Sequence, residues 1–405
     1  MDLKSQLNKY LVGQELIDAM AVFPSYQKDL SDPAERLQAL LDIYKIYIPS
    51  PGAIDIYNRL YLAILGSLEK KDTKPEIILL NDNFRVIKGL KRYGVIGGLE
   101  SFKITGCAGV GKSSSVQRCI DLICGGKVLV QDDPHREIIP VLVVEAVADG
   151  SFKSLLYSIL QQVDSQIGTN FFLLNKRVTT TVDMLLATVA NVLINHVAVL
   201  IIDEIERVAN ESYKGAVLIN YLTQLVNQSN IAIGFVGNES ANRYFETKEY
   251  MSRRAIGISL KKMEYGEYFY RFASTLFGYQ YTNKKIQFSA EIARYLFKVS
   301  NGIPALLVGL FVETQRYAIS TGIEELSLGL FEKVFQENFS NMIPFLESPE
   351  AKHQPIKETI DLGSENRLVN KMPSLFQKAS QNATGEPTGM IMVLKDVISV
   401  EYVKL

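Results

Sequence analysis

The stretch Gly106-Cys107-Ala108-Gly109-Val110-Gly111-Lys112-Ser113 decides the fold of this 405-residue chain. It matches the phosphate-binding loop pattern G-x-x-x-x-G-K-[ST] at every fixed position. A β-rich run at 101–105 precedes it, and a helical pattern at 112–124 follows it. In a strand–loop–helix of this kind, backbone N–H groups and the helix N-terminus face an anion. The sequence therefore predicts a nucleotide-phosphate site at this loop.

Each part of the loop has an expected role in that site. The loop backbone, continued by Ser114, is expected to wrap the phosphates. Lys112 would place its charge at the β- and γ-phosphates, and Ser113 would be a ligand of Mg²⁺. We therefore expect ATP and Mg²⁺ as cofactors. The simpler alternative is a glycine turn before an ordinary helix.

Short β-rich runs and helical stretches alternate around this loop. The predicted strands are 101–105, 138–146, 197–203, 231–236 and 256–260. The predicted helices are 112–124, 152–166, 182–195 and 213–228. Such alternation is typical of a parallel sheet with crossover helices. We therefore expect an α/β fold built on a parallel five-stranded sheet.

The sequence divides into four zones by pattern. We expect an N-terminal, mostly helical accessory module at 1–95, a nucleotide-binding core at 96–262, a helical lid at 263–348 and a flexible tail at 349–405. The predicted lid helices are 265–277, 290–298, 305–320 and 326–339. The tail is richer in polar residues, Pro and Gly, and its apolar end could bind a partner.

The composition excludes several classes of protein. With 47% hydrophobic and 21% charged residues, the chain is not disordered, collagenous or membrane-spanning in its averages. A net charge of -1 restricts any DNA contact to a local basic surface. The three cysteines match neither a disulfide framework nor a zinc site. No signal peptide or membrane span is apparent, so we expect a cytoplasmic protein without membrane contact.

A second acidic motif follows the apolar run 197–202. Asp203 and Glu204 stand where a buried strand would end, and ligands bind at the carboxyl edge of open α/β sheets. Asp203 would hold Mg²⁺, and Glu204 would polarise the water that attacks the γ-phosphate. The alternative is that one carboxylate only caps a helix. The preferred interpretation makes the chain an ATPase.

Polar residues near the last two strands are further candidates. Asn238, at the end of the strand 231–236, could touch the γ-phosphate or the attacking water, or could simply form a turn. Arg253 and Arg254 precede the last strand, from which an arginine could reach the nucleotide of a neighbouring subunit. Their alternative is a solvated basic loop, because only assembly would bring them to a phosphate.

Taken together, the phosphate loop, the acidic pair, Asn238, the arginines and the helical lid resemble the AAA+ ATPases. More narrowly, the segment 99–257 resembles the TnsC/TniB family, ATP-dependent regulators of cut-and-paste transposition that include CRISPR-associated transposons. The motifs that carry this resemblance are 106–113, 148–155 (Ala-Asp-Gly-Ser-Phe-Lys-Ser-Leu), 196–205, 222–227 (Leu-Thr-Gln-Leu-Val-Asn) and 252–257 (Ser-Arg-Arg-Ala-Ile-Gly).

The resemblance implies a hydrolase that assembles as a homo-oligomeric ring or helical filament on double-stranded DNA, without sequence preference. It implies two protein partners, the transposase subunits and a target-selecting protein, with hydrolysis dismantling the assembly. The DNA contacts carried over are Lys153, Lys176, Arg177 and Thr179, although Lys153 could equally be a solvated side chain. The sequence departs from the family at Asn238, where a threonine is frequent.

Two other functions remain open. One is a signalling ATPase switch, a closed monomer that opens to recruit effectors. Only about 60 residues follow the lid, too few for the repeat array that such switches usually add. The other is a replication-initiator or helicase-loader ATPase, which would be expected to carry a C-terminal winged helix.

Overall fold

The structure is a computed structural model that describes residues 2–72, 101–132, 135–146, 151–177, 179–207, 212–229, 231–242 and 256–342. The chain divides into two compact units. The first unit contains Met1–Leu11, Gly52–Ala108 and Lys112–Leu260, and the second contains Val12–Pro51, Gly109–Gly111 and Lys261–Leu405. This division cuts across the four zones expected from the sequence, because the N-terminal zone contributes to both units. Residues 349–405, the expected tail, lie outside the described residues.

The regular elements follow the sequence pattern closely. The strands are β1 (Phe102–Thr105), β2 (Leu129–Asp132), β3 (His135–Glu145), β4 (Val197–Asp203), β5 (Ala232–Gly237) and β6 (Ile256–Ser259). The helices are α1 (Gly13–Met20), α2 (Pro33–Ile43), α3 (Pro51–Asp72), α4 (Lys112–Cys124), α5 (Phe152–Ile167), α6 (Phe171–Asn175), α7 (Val182–His196), α8 (Ser212–Ser229), α9 (Glu267–Phe277), α10 (Ala290–Ser300), α11 (Pro304–Thr321) and α12 (Leu328–Asn338).

The first unit is built on a sheet with the strand order β2-β3-β4-β5-β1-β6. The five strands expected from the sequence are present and run parallel, which confirms the α/β P-loop core. The sheet has a sixth strand that the sequence analysis missed, because β2 adds an antiparallel edge beside β3. β5 lies between β4 and β1, so the ends of these three strands meet at one edge of the sheet.

Burial explains the position of the central strand. All seven residues of β4 are buried, as expected for a strand covered on both faces. Apolar side chains of β3, β4, α5, α7 and α8 form one contiguous core in this unit, among them Leu155, Ile159, Val189 and Leu200. The cap residues Ser151 and Thr181 accept backbone hydrogen bonds at the starts of α5 and α7. The buried strand β4 therefore gives the residues at its carboxyl end a rigid base.

A buried lysine joins two helices of the first unit. Lys71, in the last turn of α3, is 5% exposed, and its ammonium donates to the carbonyl oxygens of Leu193 and Ile194 in α7. Burial lowers the pKa of Lys71 to about 7, and the nearby positive charge of Arg136 acts in the same direction. The lysine thus adds a side-chain donor at the end of α7, where the carbonyl of Leu193 also accepts the backbone N–H of Val197.

The second unit combines α1 and α2 with the four lid helices α9–α12. Arg36 of α2 is 3% exposed and forms two hydrogen bonds of 2.6 and 2.8 Å to the carboxylate of Glu324. It also donates to the carbonyl of Tyr281 over 3.1 Å. The hydrogen bond to Arg36 is the main cause that lowers the pKa of Glu324. Part of the N-terminal zone thus belongs to the second unit, together with the lid helices.

No described helix is long and apolar enough to cross a membrane.

Candidate active site

The phosphate loop connects β1 to α4, as the sequence predicts. Gly109 and Gly111 have φ angles of 77° and 98°, which residues other than glycine rarely adopt. A Cβ atom at Gly109 would also meet the Cβ of Ala305 at 3.0 Å. The ammonium of Lys112 donates to the carbonyl oxygens of Gly106 and Cys107 over 2.8 and 3.0 Å. The lysine charge therefore lies against the backbone at the start of the loop.

The hydroxyl and the carboxylate expected to bind Mg²⁺ lie in direct contact. Ser113 Oγ donates to Asp203 Oδ2 over 2.6 Å, although 90 residues separate the two along the chain. Asp203 is 8% exposed, and its Oδ1 accepts the backbone N–H of Glu204 over 2.8 Å. Mg²⁺ is usually held by one or two protein oxygens together with substrate phosphates and water. This pair of oxygen donors fits such a cation.

Glu204 turns away from the strand with an unusual backbone conformation. Its φ angle of 53° lies in the left-handed region, which non-glycine residues favour mainly at special sites. Its side chain is 40% exposed and forms an ion pair with Arg207, in the 3₁₀ turn that follows β4. Arg207 also lies 3.7 Å from the carboxylate of Glu145, at the end of β3. Neither Arg207 nor Glu145 has a sequence motif that singles it out.

Asn238 lies directly after β5, between the ends of β4 and β1. Its side-chain oxygen accepts hydrogen bonds from the N–H and the hydroxyl of Ser240, at 3.0 and 2.6 Å. Its backbone N–H donates to Glu206 Oε2 over 3.3 Å, and a Cβ atom at Gly237 would come within 2.6 Å of the same oxygen. Asn238 therefore caps a turn through its side-chain oxygen. Its role in sensing the γ-phosphate stays a prediction, and the side-chain N–H₂ group would have to make that contact. No sequence motif marks Glu206.

The candidate DNA contacts fall on one part of the first unit. Lys153, in the first turn of α5, donates to the carbonyl oxygen of Thr180 over 2.7 Å. This bond brings Lys153 next to the loop that carries Lys176, Arg177 and Thr179. Lys176 stands over the ring of Phe172, 5.0 Å from its centroid. The structure thus places Lys153 beside Thr180, at the end of the loop that carries the other three candidates.

Hydrogen bonds within the same region hold the loop in place. Asp164 accepts the backbone N–H groups of Phe171 and Phe172 over 2.8 Å each, which fixes the start of α6. The hydroxyls of Tyr157 and Thr180 both donate to the carbonyl of Asn175, at 3.4 and 2.9 Å. The loop is therefore positioned by side-chain hydrogen bonds to its main chain.

Two predicted residues cannot be placed. Arg253 and Arg254 lie outside the described residues, as do Ala148, Asp149 and Gly150 of the second family motif. Among the residues that are described, no three or more His, Cys, Asp and Glu side chains form a group that could hold a metal ion. A cation at Ser113 and Asp203 would therefore need oxygens from its substrate and from water.

The strand order, the phosphate loop after β1 and the acidic pair at the end of β4 define a P-loop nucleotide hydrolase. Residues 99–245 match the family model AAA_22, an AAA domain. The core of this chain is therefore an AAA+ domain, and the chain is an ATPase. Proteins of this class bind ATP, typically with Mg²⁺.

Several solved structures are similar at low sequence identity. The ORC1 protein of Aeropyrum pernix in complex with DNA is 10% identical, with 90% of this chain and 87% of that chain covered and a TM-score of 0.46. Drosophila ORC bound to DNA is 12% identical, with coverages of 94% and 89% and a TM-score of 0.45. Cdc6p from Pyrobaculum aerophilum is 12% identical, with coverages of 65% and 67% and a TM-score of 0.39. Nothing about function follows from similarity at this level. No curated protein matches the chain.

Proposed function

We propose that this protein is a DNA-bound AAA+ ATPase whose ATP-dependent assembly regulates DNA transposition. In this role it links a target-selecting protein to the transposase, and hydrolysis limits the lifetime of the assembly. The observation that carries the ATPase part is the 2.6 Å contact between Ser113 and Asp203, beside Glu204. It joins the two motifs that such a reaction requires.

Each side chain at the sheet edge has a part in the proposed reaction. Lys112 would hold the β- and γ-phosphates, which the loop backbone surrounds. Ser113 and Asp203 would hold Mg²⁺, which when bound offsets the phosphate charge. Glu204 would accept a hydrogen bond from the attacking water and polarise it. Asn238 would orient that water or the γ-phosphate from the intervening strand.

The basic surface around Lys153 supports the DNA part of the proposal. Lys176 and Arg177 lie on a loop that Lys153 and Thr180 hold, so three positive charges and the Thr179 hydroxyl share one region. Contacts of this kind go to phosphates and carry no sequence information. They suit a regulator that must act on many target sequences. Arg253 or Arg254 would complete the nucleotide site of a neighbouring subunit in a ring or filament.

The assignment to transposition rests on the resemblance to the TnsC/TniB family. An AAA domain serves a replication initiator equally well, so initiation is the second candidate. The two differ in what they require of DNA, because an initiator acts at particular origin sequences. The sequence independence of DNA binding is therefore the property to measure.

Electron microscopy with duplex DNA and a non-hydrolysable ATP analogue tests the assembly. We expect rings or filaments that form on DNA only with nucleotide. Competition among unrelated duplexes of equal length should show equal affinities. Preference for one sequence would favour the initiator, and monomers under every condition would favour a signalling switch. Loss of transposition in cells that lack this protein, with DNA replication unchanged, would support the transposition role.

A further inference from the structure

Arg207 is folded back onto the carboxylate that the reaction needs. Its backbone N–H donates to the carbonyl of Glu204 over 2.9 Å, which closes the 3₁₀ turn Ile205–Arg207. One guanidinium nitrogen pairs with a carboxylate oxygen of Glu204, and another lies 3.7 Å from Oε2 of Glu145. A single guanidinium thus lies between two carboxylates from the ends of neighbouring strands.

Pairing changes what the Glu204 carboxylate can do. A general base must direct a lone pair at the water that it polarises. A charge-assisted bond to a guanidinium occupies such a lone pair and directs it away from water. While Arg207 is paired with Glu204, the carboxylate is therefore less able to activate water.

Glu145 offers Arg207 another partner within reach. Glu145 lies opposite Asp203 in the β3–β4 register, and its side chain is 71% exposed. Arg207 can leave Glu204 and still keep an ion pair. The neighbouring Glu206 is directed elsewhere, because its carboxylate accepts the backbone N–H of Asn238 over 3.3 Å.

The exposure of the pair makes it reversible. The side chains of Arg207 and Glu204 are 43% and 40% exposed. Ion pairs at this exposure are screened by water and salt, so they bias a conformation without locking it. A fully buried pair would instead leave an uncompensated charge when it opened. The observed geometry therefore suits a restraint that can be released.

We propose that Arg207 is a positioning residue that restrains ATP hydrolysis by pairing with Glu204 and permits hydrolysis when its guanidinium moves to Glu145. This regulation rests on the proposed function, since Glu204 must be the residue that polarises the water. It adds a control of the ATPase site by the chain's own side chains.

The test compares kcat and KM for ATP in the full-length chain with Arg207→Ala, Glu145→Gln and the double variant. Arg207→Ala should raise kcat about two- to fivefold, with KM unchanged, which is the size expected for loss of an exposed ion pair. Glu145→Gln should lower kcat, because Arg207 then has only Glu204 as a partner. The double variant should behave like Arg207→Ala. Raising the salt from about 50 to 300 mM should increase kcat of the parent chain and leave Arg207→Ala unaffected.

Arg316→Ala is the matched control, because Arg316 forms an exposed ion pair with Glu313 at the same i,i+3 spacing in α11. Its kcat should equal that of the parent chain. An Arg207→Ala protein with unchanged melting temperature and a kcat at or below the parent value would overturn the restraint. If that variant does not fold, Glu145→Gln decides, since an unchanged or higher kcat contradicts the proposal.

The variant Glu204→Gln distinguishes the catalytic role of Glu204 from its restraint by Arg207. If Glu204→Gln loses hydrolysis while Arg207→Ala fails to raise kcat, the restraint is wrong and the catalytic role of Glu204 stands. If Glu204→Gln hydrolyses ATP at the parental rate, the catalytic role is wrong and the restraint falls with it.

Discussion

The ATPase site and the basic surface of the first unit are held by different means. At the ATPase site, Ser113 and Asp203 meet because β1 and β4 end at the same edge of one sheet. At the basic surface, Lys153 and Thr180 meet because a side chain reaches a loop carbonyl. Sheet register is set by many buried contacts, whereas a loop position depends on a few hydrogen bonds. The first arrangement should be rigid and the second adaptable.

The largest expected effect is at the phosphate loop. Lys112→Ala removes the positive charge that the loop offers to the β- and γ-phosphates. ATP binding should fall about 100-fold or more, and assembly on DNA should be lost with it. Fluorescence titration with a labelled ATP analogue measures the affinity. The fold should persist, because the hydrogen bonds of the lysine within the described part of the chain go to two loop carbonyls. Normal nucleotide affinity in this variant would contradict the assignment of the loop.

Glu204→Gln should block hydrolysis and keep nucleotide binding. Loss of the base should lower kcat about 100-fold or more, the usual range for general-base catalysis. The protein should then stay on DNA with ATP bound. Steady-state phosphate release and the dissociation rate from labelled duplex DNA measure the two effects. Rapid dissociation of an inactive variant would separate hydrolysis from disassembly.

The double substitution Lys176→Ala with Arg177→Ala should weaken DNA binding and spare the ATPase site. Removing two phosphate contacts should lower the affinity about tenfold or more near physiological salt and reduce the salt slope of log K by about 1.8. Binding titrations at several salt concentrations measure both quantities. Lys298→Ala, a lysine of the lid helix α10, is the charge control. An unchanged salt slope would remove these residues from the DNA surface.

Lys153 gives a smaller effect that sharpens the distinction between charge and position. Lys153→Gln removes the charge and keeps a donor for Thr180, whereas Lys153→Met removes both. If Lys153 contacts phosphate, each variant should lower the affinity about threefold and the salt slope by about 0.9. A normal salt slope with weaker binding in Lys153→Met alone would mean that Lys153 only positions the loop.

Lys71 provides the buried counterpart of Lys153, since both donate to main-chain carbonyls. The pKa of Lys71 in the folded chain, about 7, lies below the value of about 10.4 for a free lysine. At pH values between these two, the unfolded chain therefore binds more protons than the folded chain. Stability should therefore rise with pH from about 7 to about 10.4, by at most about 1.4 kcal/mol per pH unit. Lys71→Met should flatten this rise. Urea midpoints at several pH values measure it, and an equal slope in both proteins would refute the buried pKa.

Sequence pattern predicted the core well because its signals are local. The glycine loop, the apolar run of β4 and the helical periods of α5 and α7 each depend on residues close in the chain. β2 was missed because four residues at an antiparallel edge carry too little pattern. The exposed ion pair of Arg207 was missed because charge at a strand end has several uses.

The sequence by itself determined an ATPase with a P-loop core, because spacing and hydrophobic period require only neighbouring residues. Tertiary structure alone decided which distant groups meet. It pairs Arg36 with Glu324, 288 residues apart, and so places part of the N-terminal zone in the lid unit. It also sets Arg207 between the carboxylates of Glu204 and Glu145. Such pairs arise from how elements pack, and packing depends on contacts that no local window of sequence contains.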